Sequence, residues 1–157
     1  MRRGRVALGG ARRERPIAEA RALAKAFRVD ILTKERCVLS GDIVSLVAPG
    51  ASGYLGVRPG HAPLITELKV GRLTLRPVSG QEVRIAISGG LLEVRAEATT
   101  VLAETAERAE EIDAERARRA LERARGRLAG EMSGDTDVQR ARLALLRALN
   151  RLDVAEH

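Results

Sequence analysis

The stretch Gly71–Ile87, GRLTLRPVSGQEVRIAI, alternates apolar and polar residues on either side of a Ser79-Gly80 pair. The apolar positions that recur with a period of two are Leu73, Leu75, Val83, Ile85 and Ile87. This period is typical of β-strands that bury one face, and Ser-Gly pairs are typical of turns. The stretch therefore predicts two strands separated by a turn.

The same strand period extends outward from about Phe27 to Glu104, beginning with Phe27, Val29 and Ile31. Turn-forming residues interrupt it at Ser40-Gly41-Asp42, Pro49-Gly50, Pro59-Gly60, Ser79-Gly80 and Gly89-Gly90. Short strands with such turns are typical of antiparallel β-sandwiches and barrels. Residues 26–105 are therefore predicted to form an all-β sandwich or flattened barrel.

The period changes to that of α-helices between Asp113 and about Val154, so residues 106–157 are predicted to form a second, two-helix domain. Asp113 is the expected N-cap of the first helix, and Thr136 with Gln139 is the expected capping box of the second. The apolar positions are Ala117, Leu121, Ala124 and Leu128, then Val138, Ala141, Leu145, Ala148, Leu149 and Leu152. The short break at Gly130–Asp135 predicts an antiparallel helical hairpin. Because alanine buries little surface, we expect the two helices to separate easily.

The positive charge of the chain is concentrated at its start. The net charge is +7, and residues 1–25 hold eight cations and two acids, which leaves +1 for the rest. We predict that residues 1–25 form a disordered basic extension, or an extension absent from the mature protein if translation begins near Leu23. A basic arm can bind nucleic acid, but Phe27 and Tyr54 are the only aromatic residues, so stacking platforms are absent and no nucleic acid is expected.

Cys37 is the only cysteine, which excludes an intramolecular disulfide and fits a reducing compartment. Its place in an apolar strand predicts a small core residue. No apolar run approaches the ~20 residues needed to span a bilayer, and the N-terminus lacks the apolar region of a secretory signal. We therefore expect membrane contact only through partners.

Residues for catalysis or metal binding are few. The histidines are His61, in a turn fixed by Pro59, Gly60 and Pro63, and His157, so no metal cluster is expected. Neither a nucleophile elbow nor a phosphate-binding loop is present, which argues against a free-standing enzyme. The helical carboxylates lie at ion-pair spacings such as Glu115–Arg119, which indicates solvated helix faces.

Arginines recur on one face of each predicted helix. Arg116 and Arg123 are two turns apart on the first helix, bordered by Arg119 and Arg127, and Arg147 and Arg151 are one turn apart on the second. If the two faces converge, they form a cationic groove suited to nucleotide phosphates. The alternative interpretation is an ordinary solvated surface.

Four segments resemble the epsilon subunits of F-type ATP synthases. They are GYLGVRPGHAPLITEL (Gly53–Leu68), ISGGLLEV (Ile87–Val94), TVLAETAERAEEIDAERA (Thr100–Ala117) and RARLALLRALNRL (Arg140–Leu152). The resemblance covers the chain from about Phe27 to its end and leaves the basic extension unmatched. It implies the same architecture, a β-sandwich followed by two helices.

The resemblance also implies a function. Such a subunit is a non-catalytic rotor component of the central stalk, whose sandwich docks on the gamma subunit and the ring of c subunits. Its helical hairpin inhibits hydrolysis by extending along gamma into the alpha/beta catalytic head. The loop residues implied to face gamma and the c ring are Tyr54, Arg58, Pro59, Gly60 and His61. The abundance of Arg and Ala suggests a bacterial source, with the complex at the cytoplasmic face of the cell membrane.

Some bacterial members carry an I/L-D-x-x-R-A signature for regulatory ATP, and Ile112–Ala117, IDAERA, is similar to it. The implied ATP-binding residues are Glu107, Ile112, Asp113, Arg116, Ala117, Arg123, Arg147 and Arg151. ATP would be a ligand that is not hydrolysed, and a requirement for magnesium is left open. An alternative within the family is a hairpin that inhibits mechanically and does not sense ATP.

Overall fold

The computed structural model describes residues 25–131 and 135–156. The predicted basic extension, apart from Lys25, and the centre of the interhelix break lie outside these residues, as does the side chain of Thr136 in the predicted capping box. The strands are β1 Phe27–Leu32, β2 Cys37–Gly50, β3 Gly53–Val57, β4 Leu64–Pro77, β5 Val83–Val94, β6 Ala98–Ala103 and β7 Ala106–Arg108. A 3₁₀ turn Ala109–Glu111 leads to helix α1 Ala114–Gly126, a wide turn Arg127–Glu131 follows, and helix α2 is Asp135–Glu156.

Five of the strands close into a barrel in the order β1-β6-β5-β4-β2, because β1 pairs with β2 as well as with β6. The β1–β6 pairing is parallel and the others are antiparallel; β3 adds to β2, and β7 adds to β5. The alternating apolar residues point inward, so that Val29, Leu73 and Ile85 are fully buried. The predicted β-sandwich or barrel followed by a helical pair is confirmed.

Two predicted turns are wrong because both segments continue through a strand. Ser40–Asp42 lies within the 14-residue β2, where Gly41 pairs with Val29 of β1. Gly89 and Gly90 lie within β5, with φ angles of +123° and +146°. A Cβ on Gly90 would lie 2.1 Å from the carbonyl oxygen of Leu102, so this glycine permits close approach of the backbones rather than a reversal.

Cys37 is exposed, contrary to the prediction of a core position. It begins β2, and its neighbour Val38 takes the inward position, with 6% of its surface exposed. Since successive side chains of a strand face opposite sides, Cys37 points to solvent.

The helices pack as the predicted antiparallel hairpin through small residues. The buried residues of the seam are Ala117, Leu121 and Ala124 of α1 and Ala141 and Ala148 of α2. Leu149 was predicted on this apolar face but is 41% exposed, because α2 carries apolar residues on more than one side and the seam takes only part of them.

Helix α2 covers the outer face of β4 and β5, and for that reason Ala86 is buried although it alternates with core residues. The side-chain amide of Asn150 donates hydrogen bonds to the carbonyl oxygens of Gly71 (2.9 Å) and Ile87 (3.2 Å), which are paired residues on the two strands. Arg72 adds an ion pair with Asp153 at 2.9 Å. The hairpin is thus docked on the barrel largely through polar contacts made by α2.

Asp113 caps α1 as predicted, since its Oδ1 accepts a hydrogen bond from the backbone NH of Arg116 at 2.9 Å. We expect Asp113→Ala to cost about 1 kcal/mol of helix stability, because one backbone donor loses its partner. Faster amide hydrogen exchange in the first turn of α1, with unchanged exchange in α2, would confirm the cap. Equal exchange in the two proteins would contradict it.

Candidate nucleotide-binding cavity

An open cavity of about 340 Å³ lies beside α1, from its N-cap Asp113 to Arg123, and Arg151 of α2 also lines it. Its lining residues are Glu107, Glu111, Asp113, Arg116, Ala117, Ala120, Arg123 and Arg151. The structure therefore brings together six of the eight residues that the resemblance implied for ATP. The cavity has the size of a small-molecule site and combines three guanidinium groups with three carboxylates.

Arg116 and Arg123 are the uncompensated cations of this cavity. They lie two helical turns apart, as predicted, and both are exposed. Within residues 25–131 and 135–156, neither side chain forms a hydrogen bond or ion pair. Neighbouring cations without counterions favour an anionic ligand, because the ligand relieves their mutual repulsion.

The three carboxylates of the cavity, in contrast, are each engaged. Glu107 accepts from Arg151 through both oxygens, at 2.7 and 2.9 Å, and this bond raises the pKa of the Arg151 guanidinium. Glu111 accepts from Arg36 at 2.6 Å, and Asp113 caps α1. The unpaired charge that faces the cavity is therefore positive.

Ile112 and Arg147 are not among the lining residues. Ile112 is half-buried in the extended residues before α1. Arg147 turns toward the barrel, where its Nη2 lies 3.8 Å from Oε2 of Glu104. Its Nε is buried and lacks a hydrogen-bond partner among the described residues. Arg147 and Arg151 share a side of α2, but only Arg151 faces the cavity.

Glu111 and Ala120 line the cavity and were not predicted. Ala120 could have been found from helical spacing, since it lies four residues after Arg116 and three before Arg123. Glu111 carries no local signal for this position, because its partner Arg36 is 75 residues away in the turn between β1 and β2. Its carboxylate also accepts from the backbone NH of Arg108 at 3.0 Å, which ties the 3₁₀ turn to the end of β7.

The hydrogen bond from Arg36, followed by that from the Arg108 backbone, lowers the pKa of Glu111 from its ordinary 4.5 to about 2. A lowered pKa in the folded state adds stability above pH 4.5 and loses it as the pH falls toward 2. We therefore expect Glu111→Gln to reduce the acid-induced loss of stability between about pH 4.5 and 2. Urea unfolding of both proteins across this range measures the difference, and parallel curves would show that the contact is too solvent-screened to matter.

The other predicted set does not form one loop. Arg58–His61 lies in the connection from β3 to β4, and the NH of His61 donates to the carbonyl of Arg58 at 3.0 Å, as expected for a tight turn. Tyr54 instead lies in β3 and pairs with Pro49 of β2. It precedes Val57, the last residue of β3, by three residues, or about 10 Å of strand. Its hydroxyl accepts from the backbone NH of Arg72 at 3.4 Å, near the docked α2.

The predicted Glu115–Arg119 ion pair is replaced by one between Glu115 and Arg118, at 2.5 Å. Arg118 also reaches Glu156 of α2 at 3.2 Å, so it bridges the two helices. In the described residues, no group of His, Cys, Asp or Glu side chains is arranged to hold a metal. No helix in the same residues is long and apolar enough to cross a membrane.

Family models match the chain in two consecutive parts. Residues 26–109 match the beta-sandwich domain of the ATP synthase Delta/Epsilon chain, and residues 110–156 match its long alpha-helix domain. The ATP synthase epsilon chain of Desulforamulus reducens is 49% identical over 134 residues, which are 85% of this chain and 100% of the relative. The ATP synthase epsilon chain of Bacillus subtilis is 49% identical over 131 residues, which are 83% of this chain and 98% of the relative.

Solved structures share the fold. A chain of the Euglena gracilis mitochondrial ATP synthase, in an OSCP/F1/c-ring assembly, superimposes with a TM-score of 0.73 at 23% identity, covering 84% of this chain and 82% of that one. This likeness shows the shared fold, and the two family models with the bacterial relatives place the chain in the ATP synthase delta/epsilon chain family, among the epsilon chains.

Proposed function

We propose that this protein is a non-catalytic rotor subunit of the ATP synthase central stalk, with its barrel docked on the gamma subunit and the ring of c subunits. The support is family membership along the described chain, together with relatives named as ATP synthase epsilon chains. In a bacterium the complex would lie at the cytoplasmic face of the cell membrane, and the subunit would be peripheral.

The helical hairpin is proposed to be a two-state inhibitor of ATP hydrolysis. In the docked state, α1 packs on α2 through an alanine-rich seam. Each alanine buries little apolar surface, and burial stabilises by only about 25 cal/mol per Å². The polar contacts of α2 with the barrel are the two hydrogen bonds from Asn150, the two-bond pair of Arg151 with Glu107, and exposed ion pairs such as that of Arg72 with Asp153. Each exposed ion pair contributes only modestly. Such contacts allow the hairpin to leave the barrel and extend toward gamma and the alpha/beta catalytic head.

ATP is proposed as the ligand that retains the docked state. The observation that carries this proposal is the cavity in which Arg116 and Arg123 are unpaired while every lining carboxylate is engaged. A triphosphate would compensate both cations, and Arg151 can add a contact through the N–H groups that Glu107 leaves free. Because the cavity joins residues of both helices, the ligand binds the docked hairpin in preference to the extended one, which is the condition for shifting the equilibrium.

Titration of ATP into the full-length protein by calorimetry tests this proposal, with and without magnesium and with Arg151→Ala and Arg147→Ala variants alongside. We expect saturable binding that weakens on loss of Arg151. A dissociation constant of 1 mM corresponds to about −4 kcal/mol and one of 1 μM to about −8 kcal/mol. If the Arg147→Ala variant loses ATP binding, the Arg147 side chain must leave Glu104 to reach the ligand. No binding at millimolar ATP would reduce the hairpin to a mechanical inhibitor that does not sense nucleotide.

A further inference from the structure

Arg147 is held against the barrel by more than the carboxylate that it faces. Its Nη2 lies 3.8 Å from Oε2 of Glu104, which is beyond hydrogen-bond distance, and the two side chains are 40% and 65% exposed. A solvent-screened pair of this kind holds a side chain only weakly. The Nε of Arg147 is nevertheless buried, and it has no acceptor among the described residues. Because buried N–H groups are normally hydrogen-bonded, this Nε requires a further partner.

A small, half-open cavity lies where Arg147 meets the barrel. Its polar lining residues are Ser88 of β5, Thr105 in the connection between β6 and β7, and Arg147, Asn150 and Arg151 of α2. The cavity has a volume of about 10 Å³. This volume is about the minimum that holds one water molecule, and it is too small for a phosphate group. The cavity is therefore distinct from the nucleotide cavity, although Arg151 lines both.

The polar groups of this small cavity include both donors and acceptors. The hydroxyls of Ser88 and Thr105 form a hydrogen bond with each other. One hydroxyl donates in that bond, so the other keeps a hydrogen to donate, and each oxygen keeps a free lone pair. Asn150 donates through Nδ2 to the barrel, and its Oδ1 accepts no hydrogen bond from the described residues. A water molecule can both donate and accept here, whereas an anion can only accept.

We propose that one water molecule occupies this cavity, accepts a hydrogen bond from Nε of Arg147 and donates to the hydroxyl pair of Ser88 and Thr105. The barrel thereby holds Arg147 away from the nucleotide cavity, which α2 lines through Arg151. Ser88 and Thr105 are positioning residues for Arg147. The water site rests on the geometry alone, and its role in retaining the docked hairpin rests on the proposed function. For the hairpin to extend, α2 must release this water as well as its direct contacts.

A high-resolution crystal structure of the full chain, without nucleotide, tests the site directly. We expect a water oxygen about 2.7–3.2 Å from Nε of Arg147 and within the same distance of a hydroxyl oxygen of Ser88 or Thr105. A direct hydrogen bond from Nε to a protein acceptor would overturn the proposal, as would a chloride ion or an empty cavity. Since no nucleotide is added, these outcomes leave the proposal of ATP binding untouched.

A solution measurement tests the positioning role through solvent exchange of the Arg147 Hε, followed by NMR. The Ser88→Ala, Thr105→Val double variant removes both hydroxyls, whereas Thr105→Ser changes the same threonine and keeps the hydroxyl pair. We expect Hε of Arg147 to exchange about tenfold faster in the double variant, because its buried donor loses the bridged partner. In the Thr105→Ser chain it should exchange at the parent rate. Equal protection of this Hε in the parent and the double variant would overturn the proposal.

Arg151 provides the internal reference for this measurement. Its Nε donates to Oε2 of Glu107 at 2.9 Å, so its Hε should exchange at the parent rate in every variant. If Hε of Arg151 accelerates as much as Hε of Arg147, the hydroxyls retain the whole helix and do not position Arg147, which also overturns the proposal. The amides of Ile85 and Leu92 should exchange as slowly as in the parent, because both residues lie in the barrel core.

Discussion

The Arg123→Ala chain is expected to bind ATP about 10- to 100-fold more weakly than the parent chain. Arg123 has no partner among the described residues, so in the free protein nothing is lost when it is removed. A hydrogen bond to a charged group contributes about 1.5–3 kcal/mol. At 1.4 kcal/mol for each factor of ten, this contribution corresponds to the expected loss. Calorimetric titration of ATP into the two full-length proteins measures it.

Arg125→Ala is the matched control for Arg123→Ala. Arg125 lies on the same helix two residues away, is also exposed, and forms an ion pair with Glu122 at 2.9 Å outside the cavity. Its removal takes away the same charge but no cavity-lining side chain, so ATP affinity should change by less than about twofold. If both substitutions weaken ATP binding equally, the affinity depends only on the overall charge, and the cavity is not the binding site.

Much of the fold could be predicted because each barrel strand shows its buried face in its own alternation of residues. Val29 and Leu73 alternate with polar residues, and both face the core. Gly89 and Gly90 were misread as a turn because the need for glycine arises from a neighbouring strand, in the approach of Leu102 to Gly90. Leu149 was misplaced for a related reason, since which side of an apolar helix is buried depends on the helix packed against it.

The candidate site was predictable to the extent that it is built from one helix. The spacing of Arg116 and Arg123 placed both on the same side of α1, and both line the cavity. The partners that engage its carboxylates were not predictable, because Arg36 and Glu111 are 75 residues apart in sequence. The different positions of Arg147 and Arg151 were not predictable either. Arg147 pairs with Glu104 and Arg151 with Glu107, and the barrel positions both carboxylates.

Asn150→Ala is expected to weaken the docking of the hairpin by about 1–3 kcal/mol, the usual cost of losing partly buried hydrogen bonds. Asn150 is the residue through which α2 reaches backbone carbonyls of two neighbouring strands. The barrel core does not depend on this side chain, so the loss should appear as faster hydrogen exchange in α1 and α2. Exchange at Ile85 and Leu92 should remain as slow as in the parent chain.

Gln139→Ala serves as the control for Asn150→Ala, because Gln139 is an exposed amide on the same helix whose side chain forms no hydrogen bond among the described residues. If undocking produces the inhibitory form, an ATP synthase containing Asn150→Ala should hydrolyse ATP more slowly than one containing Gln139→Ala. Saturating ATP should restore part of the rate, because ligand binding to the docked hairpin opposes undocking. Faster exchange in the helices without slower hydrolysis would separate the two events and show that release from the barrel alone does not inhibit.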